Sequence, residues 1–307
     1  MRYAVIGTGA IGGYYGGRLA LSGQDVHFLL HSDYEHVRDH GLLVDSCNGS
    51  FHLKQVNAYG QADAMPKADV VLVCLKTIRN GQLAQLLPPL LKDDTLVLLI
   101  QNGIGVEQDV QLMFPQAQLV AGLAFICSSK IGLGHISHQC YGSINLGNYS
   151  CHDEQRLKQL RAEMEAAGIR VGEMEYHQAR WKKAVWNMPF NGMTVALETQ
   201  TDCLLKHPST RQLIREQMLE VITVAQRLGV TGLDESFADK MIETTDAMTP
   251  YSPSMRLDYD NRRPMEIDYL YSRPIAIAHE AGLSMPRLEM LENELRFIES
   301  RRLTSPA

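Results

Sequence analysis

The sequence predicts an α/β fold, a doubly wound parallel sheet followed by a second, all-helical domain. Three observations predict it. The chain opens on a short apolar run at 3–6 that leads into Gly7-Thr8-Gly9-Ala10-Ile11-Gly12, a G-x-G-x-x-G turn between a strand and a helix. The runs at 68–76 and 94–100 are almost continuously apolar, which suits strands buried on both faces. From about Glu175 the strand pattern ends and apolar stripes at helical spacing replace it. The expected division is 1–174 for a Rossmann-type dinucleotide-binding domain and 175–307 for a helical substrate and catalytic domain, two domains being ordinary for 307 residues.

Each element has its own reason. In the opening turn Gly7 permits the tight exit from the strand. Gly9 lets backbone approach a pyrophosphate, and Gly12 lets the helix at about 11–21 pack close to the sheet. The amide groups and dipole at that helix start favour phosphate charge. A second strand is expected at 25–30. Its end carries His31 and Ser32 ahead of Asp33, with no acid at the strand tip itself to hold a ribose 2′-hydroxyl. His31 and Ser32 are suited to donate to a 2′-phosphate, with Arg38 a helix face later, so NADP is expected rather than NAD.

Residues 41–45 and 51–59 read as strands of an insertion or hairpin. The strand at 68–76 ends in Lys76-Thr77 and the one at 94–100 in Gln101-Asn102-Gly103, both at carboxyl ends where open α/β sheets bind ligands. A helix at 105–114, strands at 119–125 and 142–146, a charged helix at 153–167 and a strand at 169–173 complete the first domain. In the second, helices are expected at 210–228, 232–248, 265–280 and 286–302. The stretch 249–264, TPYSPSMRLDYDNRRP, is too rich in Pro, Asp and Arg for a core element.

Composition narrows the function. A formal charge of −6 argues against binding nucleic acid by phosphate neutralisation. No apolar run approaches the ~18 residues of a membrane span. A first strand that begins at once makes a signal peptide unexpected. The six cysteines, 47, 74, 127, 140, 151 and 203, are scattered and read as reduced thiols of a cytoplasmic protein. No histidine pair has H-E-x-x-H spacing, so no metal is expected.

Lys183, Asn187 and Asn191 recur at i, i+4 and i+8 and share one helix face, a polar line costly to bury unless it meets partners. They suit a small, oxygen-rich substrate. Pro189 lies between the two asparagines and is expected to kink the helix there.

The sequence resembles the ketopantoate reductase (2-dehydropantoate 2-reductase) family nearly end to end. The likeness rests on GTGAIG, CLKT, QNG, K-x-x-x-N-x-x-x-N, SM-x-x-D and MEIDY, in that order. It implies that Lys183 protonates the keto oxygen and that Glu266 partners that lysine and positions substrate. It also implies that Asn187 and Asn191 hold the hydroxyl and carboxylate end, that Ser254 binds the carboxylate, and that Asn102 and Lys76 line the cofactor and the substrate cleft. The expected chemistry is hydride delivery from NADPH to a 2-keto acid, with NAD the lesser alternative. Two positions depart from the family: His31 stands where it usually has Arg, and Thr201 stands where a further substrate asparagine is expected. A reductase of another branched 2-keto acid, or a non-catalytic NADP sensor, therefore stays open. A homodimer is a candidate assembly.

Overall fold

The computed structural model describes residues 1–304. Its contacts divide the chain into two compact units, Met1–Asn102 with Val106–Tyr176, and Gly103–Gly105 with residues from His177 onward.

In the first unit β1 (Arg2–Ile6) passes through the glycine turn into α1 (Ala10–Leu21) and then β2 (Asp25–Leu29). There follow α2 (Tyr34–His40), β3 (Leu42–Ser46), β4 (Phe51–Leu53), β5 (Asn57–Tyr59), β6 (Val70–Val73), α3 (Leu83–Leu86), β7 (Leu96–Leu99) and α4 (Val106–Met113). The unit closes with β8 (Gln118–Gly132), β9 (His135–Asn148), α5 (Glu154–Ala166) and β10 (Val171–Glu173). Among the described residues the sheet runs β4-β3-β9-β8-β7-β6-β1-β2-β5, with β10 paired to β9. The centre is parallel: β1 lies between β2 and β6, and β7 joins β6. Every residue of β6 and β7 is buried, as strands covered on both faces require. The chain leaves β1 for β2 on one side and later returns to β6 on the other, so the order reverses at β1. Ligands of such sheets bind at that reversal, beyond the carboxyl ends of the strands.

Three expectations change here. The strands expected at 119–125 and 142–146 are the inner parts of a much longer antiparallel hairpin, β8 with β9, so the sheet is mixed. Its outer half carries exposed Ile131 and Leu133 and lacks the apolar alternation that marks a strand. The stretch 51–59 is not one insertion. β4 pairs antiparallel with β3, whereas β5 extends the parallel sheet beside β2.

The second unit is helical: α6 (Tyr176–Ala196), α7 (Thr201–Lys206), α8 (Pro208–Arg227), α9 (Glu235–Asp246), α10 (Ser254–Asp260), a π-helical turn at Asp268–Ser272, α11 (Arg273–Glu280) and α12 (Pro286–Thr304). The stripe on α8 is buried, with Ile214, Met218, Val221 and Ala225 in one core cluster that also holds Trp181, Val185 and Met188 of α6 and Leu288, Leu291 and Leu295 of α12. α6 runs through Pro189 without interruption. Three further corrections belong to this unit. The Pro-rich stretch holds α10, whose Met255 and Asp258 are buried, and α7 joins the expected helices. The helix expected at 265–280 starts instead with the π-helical turn, one residue beyond Glu266. No described helix is long and apolar enough to cross a membrane.

Candidate active site

The glycine turn has the geometry its sequence implies. Gly7 has φ +92°, and a Cβ there would stand 2.7 Å from the Leu75 amide nitrogen, so only glycine makes the exit from β1. A Cβ on Gly12 would press on the Gly7 carbonyl and stand 2.8 Å from Val5 Cγ1, so glycine lets α1 lie against the sheet. A Cβ on Gly9 would meet nothing within 4 Å, which leaves backbone open to a ligand at that corner. Thr8 Oγ1 donates to the Leu29 carbonyl, 2.9 Å away, and ties the turn to the end of β2. Ala10 and Ile11 begin α1, whose first turn carries no acidic residue to repel a phosphate. These residues fit the pyrophosphate of a dinucleotide.

The other first-unit candidates sit along the same carboxyl edge. His31 and Ser32 follow β2 and are exposed; Lys76 follows β6 and Asn102 follows β7, both half-buried. Gln101 braces this edge, its Nε2 donating to the Leu75 carbonyl at 2.8 Å and to Asn80 Oδ1 at 2.7 Å. Arg38, one helix face later, is engaged instead with neighbouring Asp39, its Nε 2.8 Å from Oδ1.

Within the second unit, Lys183 and Asn187 line a small pocket that is partly open to solvent. Arg180, Met188, Gly103 and Tyr269 are also in its wall. Gly103 has φ +97°, and a Cβ there would stand 2.5 Å from the Tyr269 carbonyl oxygen. The next residue, Ile104, donates its N–H to that same carbonyl at 3.0 Å. The glycine of QNG is thus fixed by a close backbone approach to the residue that ends MEIDY.

The Lys183 ammonium is lowered from the usual lysine range to about 7. Burial is the largest cause and the like charge of Arg180 adds to it, while Glu266 opposes both. Glu266 is 4% exposed and Arg180 likewise 4%. The expectation that Glu266 tunes Lys183 therefore needs a second member. Arg180 was missed, although it precedes Lys183 by three residues and lies on the same face.

Asn191 has a different place from its neighbour Asn187. It is 3% exposed, its Nδ2 donates to the Asn187 carbonyl at 2.9 Å, and its Oδ1 accepts the Met255 N–H at 3.1 Å. It therefore anchors the start of α10, where Ser254 is the first residue. Thr201 is buried, and its hydroxyl donates to the Tyr251 carbonyl at 3.3 Å.

A mixed sheet with a parallel centre and a glycine turn at its reversal, and a helical unit holding a low-pKa lysine beside amides, together define a Rossmann-type oxidoreductase. Family comparison gives the particular kind. The model described as "Ketopantoate reductase PanE/ApbA" matches residues 3–150, and its C-terminal counterpart matches 175–299. The chain belongs to the ketopantoate reductase family. It is 44% identical over 310 residues to a 2-dehydropantoate 2-reductase of Nostoc sp., covering 99% of this chain and 97% of that protein. Among solved structures, the 2-dehydropantoate 2-reductase of Geobacter metallireducens superposes with a TM-score of 0.93 at 38% identity, covering 97% of this chain and 99% of that one. That of Methylococcus capsulatus gives 0.89 at 33%, covering 99% of each. The reaction class of the chain is that of these relatives.

Proposed function

We propose that the protein reduces 2-dehydropantoate to (R)-pantoate with NADPH, a step toward pantothenate and coenzyme A. The observation that carries the reading is Lys183, a lysine brought to a pKa of about 7 on the wall of a small, partly open pocket that it shares with Asn187. A general acid works best when its pKa lies near the working pH. The glycine turn would hold the pyrophosphate of a nicotinamide dinucleotide, which when bound would supply the hydride for the keto carbon. As negative charge grows on the keto oxygen, the Lys183 ammonium stabilises it and gives up its proton. Glu266 keeps enough positive charge on Lys183 for that transfer. Asn187, one turn along the same face, orients the substrate hydroxyl. Ser254 receives the carboxylate, and Asn191 holds Ser254's helix in place through the Met255 N–H. NADP is proposed over NAD because exposed His31 and Ser32, rather than an acid, follow the tip of β2.

A second reading, a reductase of another branched 2-keto acid, is favoured by Thr201, whose side chain is turned to Tyr251 where the family resemblance expects an amide for substrate. One assay separates these. NADPH and NADH oxidation is followed with 2-dehydropantoate and with a panel of branched 2-keto acids. Highest kcat/KM with 2-dehydropantoate and NADPH supports the proposal. A better branched acid transfers the assignment to that substrate, and no oxidation with any of them favours a non-catalytic NADP sensor. Lys183→Ala is expected to lower kcat by about 10²–10⁴-fold with the fold intact; near-normal turnover removes Lys183 from the mechanism.

A further inference from the structure

The outer half of the β8–β9 hairpin, which no apolar pattern announced, does something specific at the end of β2. Asp33 lies two residues past His31 and is 3% exposed. Lys130, near the hairpin tip, forms an ion pair with its Oδ1. Ser32 Oγ donates to the same oxygen at 3.0 Å, and the Gly134 N–H donates to Oδ2 at 3.0 Å. These donors hold the Asp33 carboxyl below the usual range against the cost of its burial. Both oxygens of Asp33, the first acid behind the β2 tip, are therefore turned inward, onto donors of its own unit. An acid available at this place is what recognises a ribose 2′-hydroxyl; a cation suits a 2′-phosphate. Because Lys130 and Ser32 share one carboxylate oxygen, an ammonium and a hydroxyl stand side by side there; both residues are exposed, and Ser32 follows exposed His31 in the chain. The hairpin tip is not loose: the Gly134 carbonyl accepts the Leu43 N–H at 2.8 Å, and β9 pairs with β3.

We propose that Lys130 is the cofactor-selecting cation of this protein. Held on Asp33, it takes the 2′-phosphate of NADP where the chain lacks an arginine at position 31, and it withdraws Asp33 from the ribose. This rests on the NADP reading above and adds the residue responsible for it. The phosphate carries close to two negative charges at neutral pH, and a charge-assisted bond to an ammonium is among the stronger hydrogen bonds.

The test is equilibrium binding to the whole protein, by calorimetry, of NADPH, NADH and adenosine 2′,5′-bisphosphate, with steady-state KM values beside it. Lys130→Met is expected to weaken NADPH and the bisphosphate by about 10-fold or more, since a hydrogen bond to a charged group is worth about that factor. NADH should stay within about 2-fold, and Lys130→Arg should restore NADPH binding. Equal weakening of NADPH and NADH would make Lys130 a structural brace of Asp33 and overturn the inference, as would an unchanged ratio. Should Lys130→Met fail to fold, Lys130→Arg and Lys130→Gln with the same three ligands decide it by the same ratio. If the unaltered protein binds NADH more tightly than NADPH, the NADP reading itself fails, and that is seen before any variant is made.

Discussion

A lysine with a pKa near 7 loses its proton inside the physiological range, so the Lys183 reading has a pH signature. Reduction needs the protonated form. The rate with saturating cofactor should be level on the acid side and fall as pH rises through about 7. The two charges acting on Lys183 push in opposite senses, which fixes the sign of each variant. Arg180→Met removes a like charge that lowers the value, so the falling limb should move to higher pH. Glu266→Gln removes the charge that raises it, so the limb should move to lower pH. The profile of kcat/KM for the keto acid in the three proteins checks this. Limbs that coincide, or that move in the same direction, would mean that a different group titrates. The lysine itself was legible from its spacing with Asn187 and Asn191. Its tuning was not, because Arg180 looks like any surface cation until its burial is known.

At the scale of elements, the contact between α6 and α10 joins two motifs that lie about 60 residues apart in sequence. Asn191 is bonded on both sides of its amide, so Asn191→Leu leaves the Met255 N–H and the Asn187 carbonyl without that partner inside the protein. An unsatisfied buried group costs about 1–3 kcal/mol. Urea unfolding should show a loss of that order, and KM for the keto acid should rise as Ser254 loses its anchor. A variant with full stability but raised KM would make Asn191 a direct substrate ligand instead. This contact also shows why α10 was hidden. TPYSPSMRLDYDNRRP reads as a loop because its order comes from a distant side chain and from the Asp258–Arg263 pair, Nε to Oδ1 3.0 Å, rather than from local periodicity. The β8–β9 hairpin is longer than its apolar pattern for a related reason. Beyond Phe125 its strands are held by pairing with each other and by β3, not by an apolar face. The central strands and α8, whose apolar residues repeat at period two or 3.6 or run continuously, were legible directly.

At the scale of the molecule, the glycine turn is part of the first unit's core rather than an appendage to it. Gly12 lies against Val5, Gly7 against Leu75, and β1 is buried between β2 and β6. Opening β1 or α1 therefore destroys the turn, and a ligand held by the turn must oppose that opening. Linkage gives the size: a ligand that binds only the closed form at 100 times its Kd stabilises it by about 2.7 kcal/mol. Amide hydrogen exchange in peptides from β1, α1, β2 and β6 should slow by up to about 100-fold with NADPH at that concentration, wherever exchange requires the unit to open. The gain should follow the dinucleotide and survive in Lys183→Ala, because the lysine acts on the keto acid and not on the turn. Exchange in β1 and α1 that ignores NADPH would show that the dinucleotide is held elsewhere, and loss of the protection in Lys183→Ala would bring the lysine into cofactor binding.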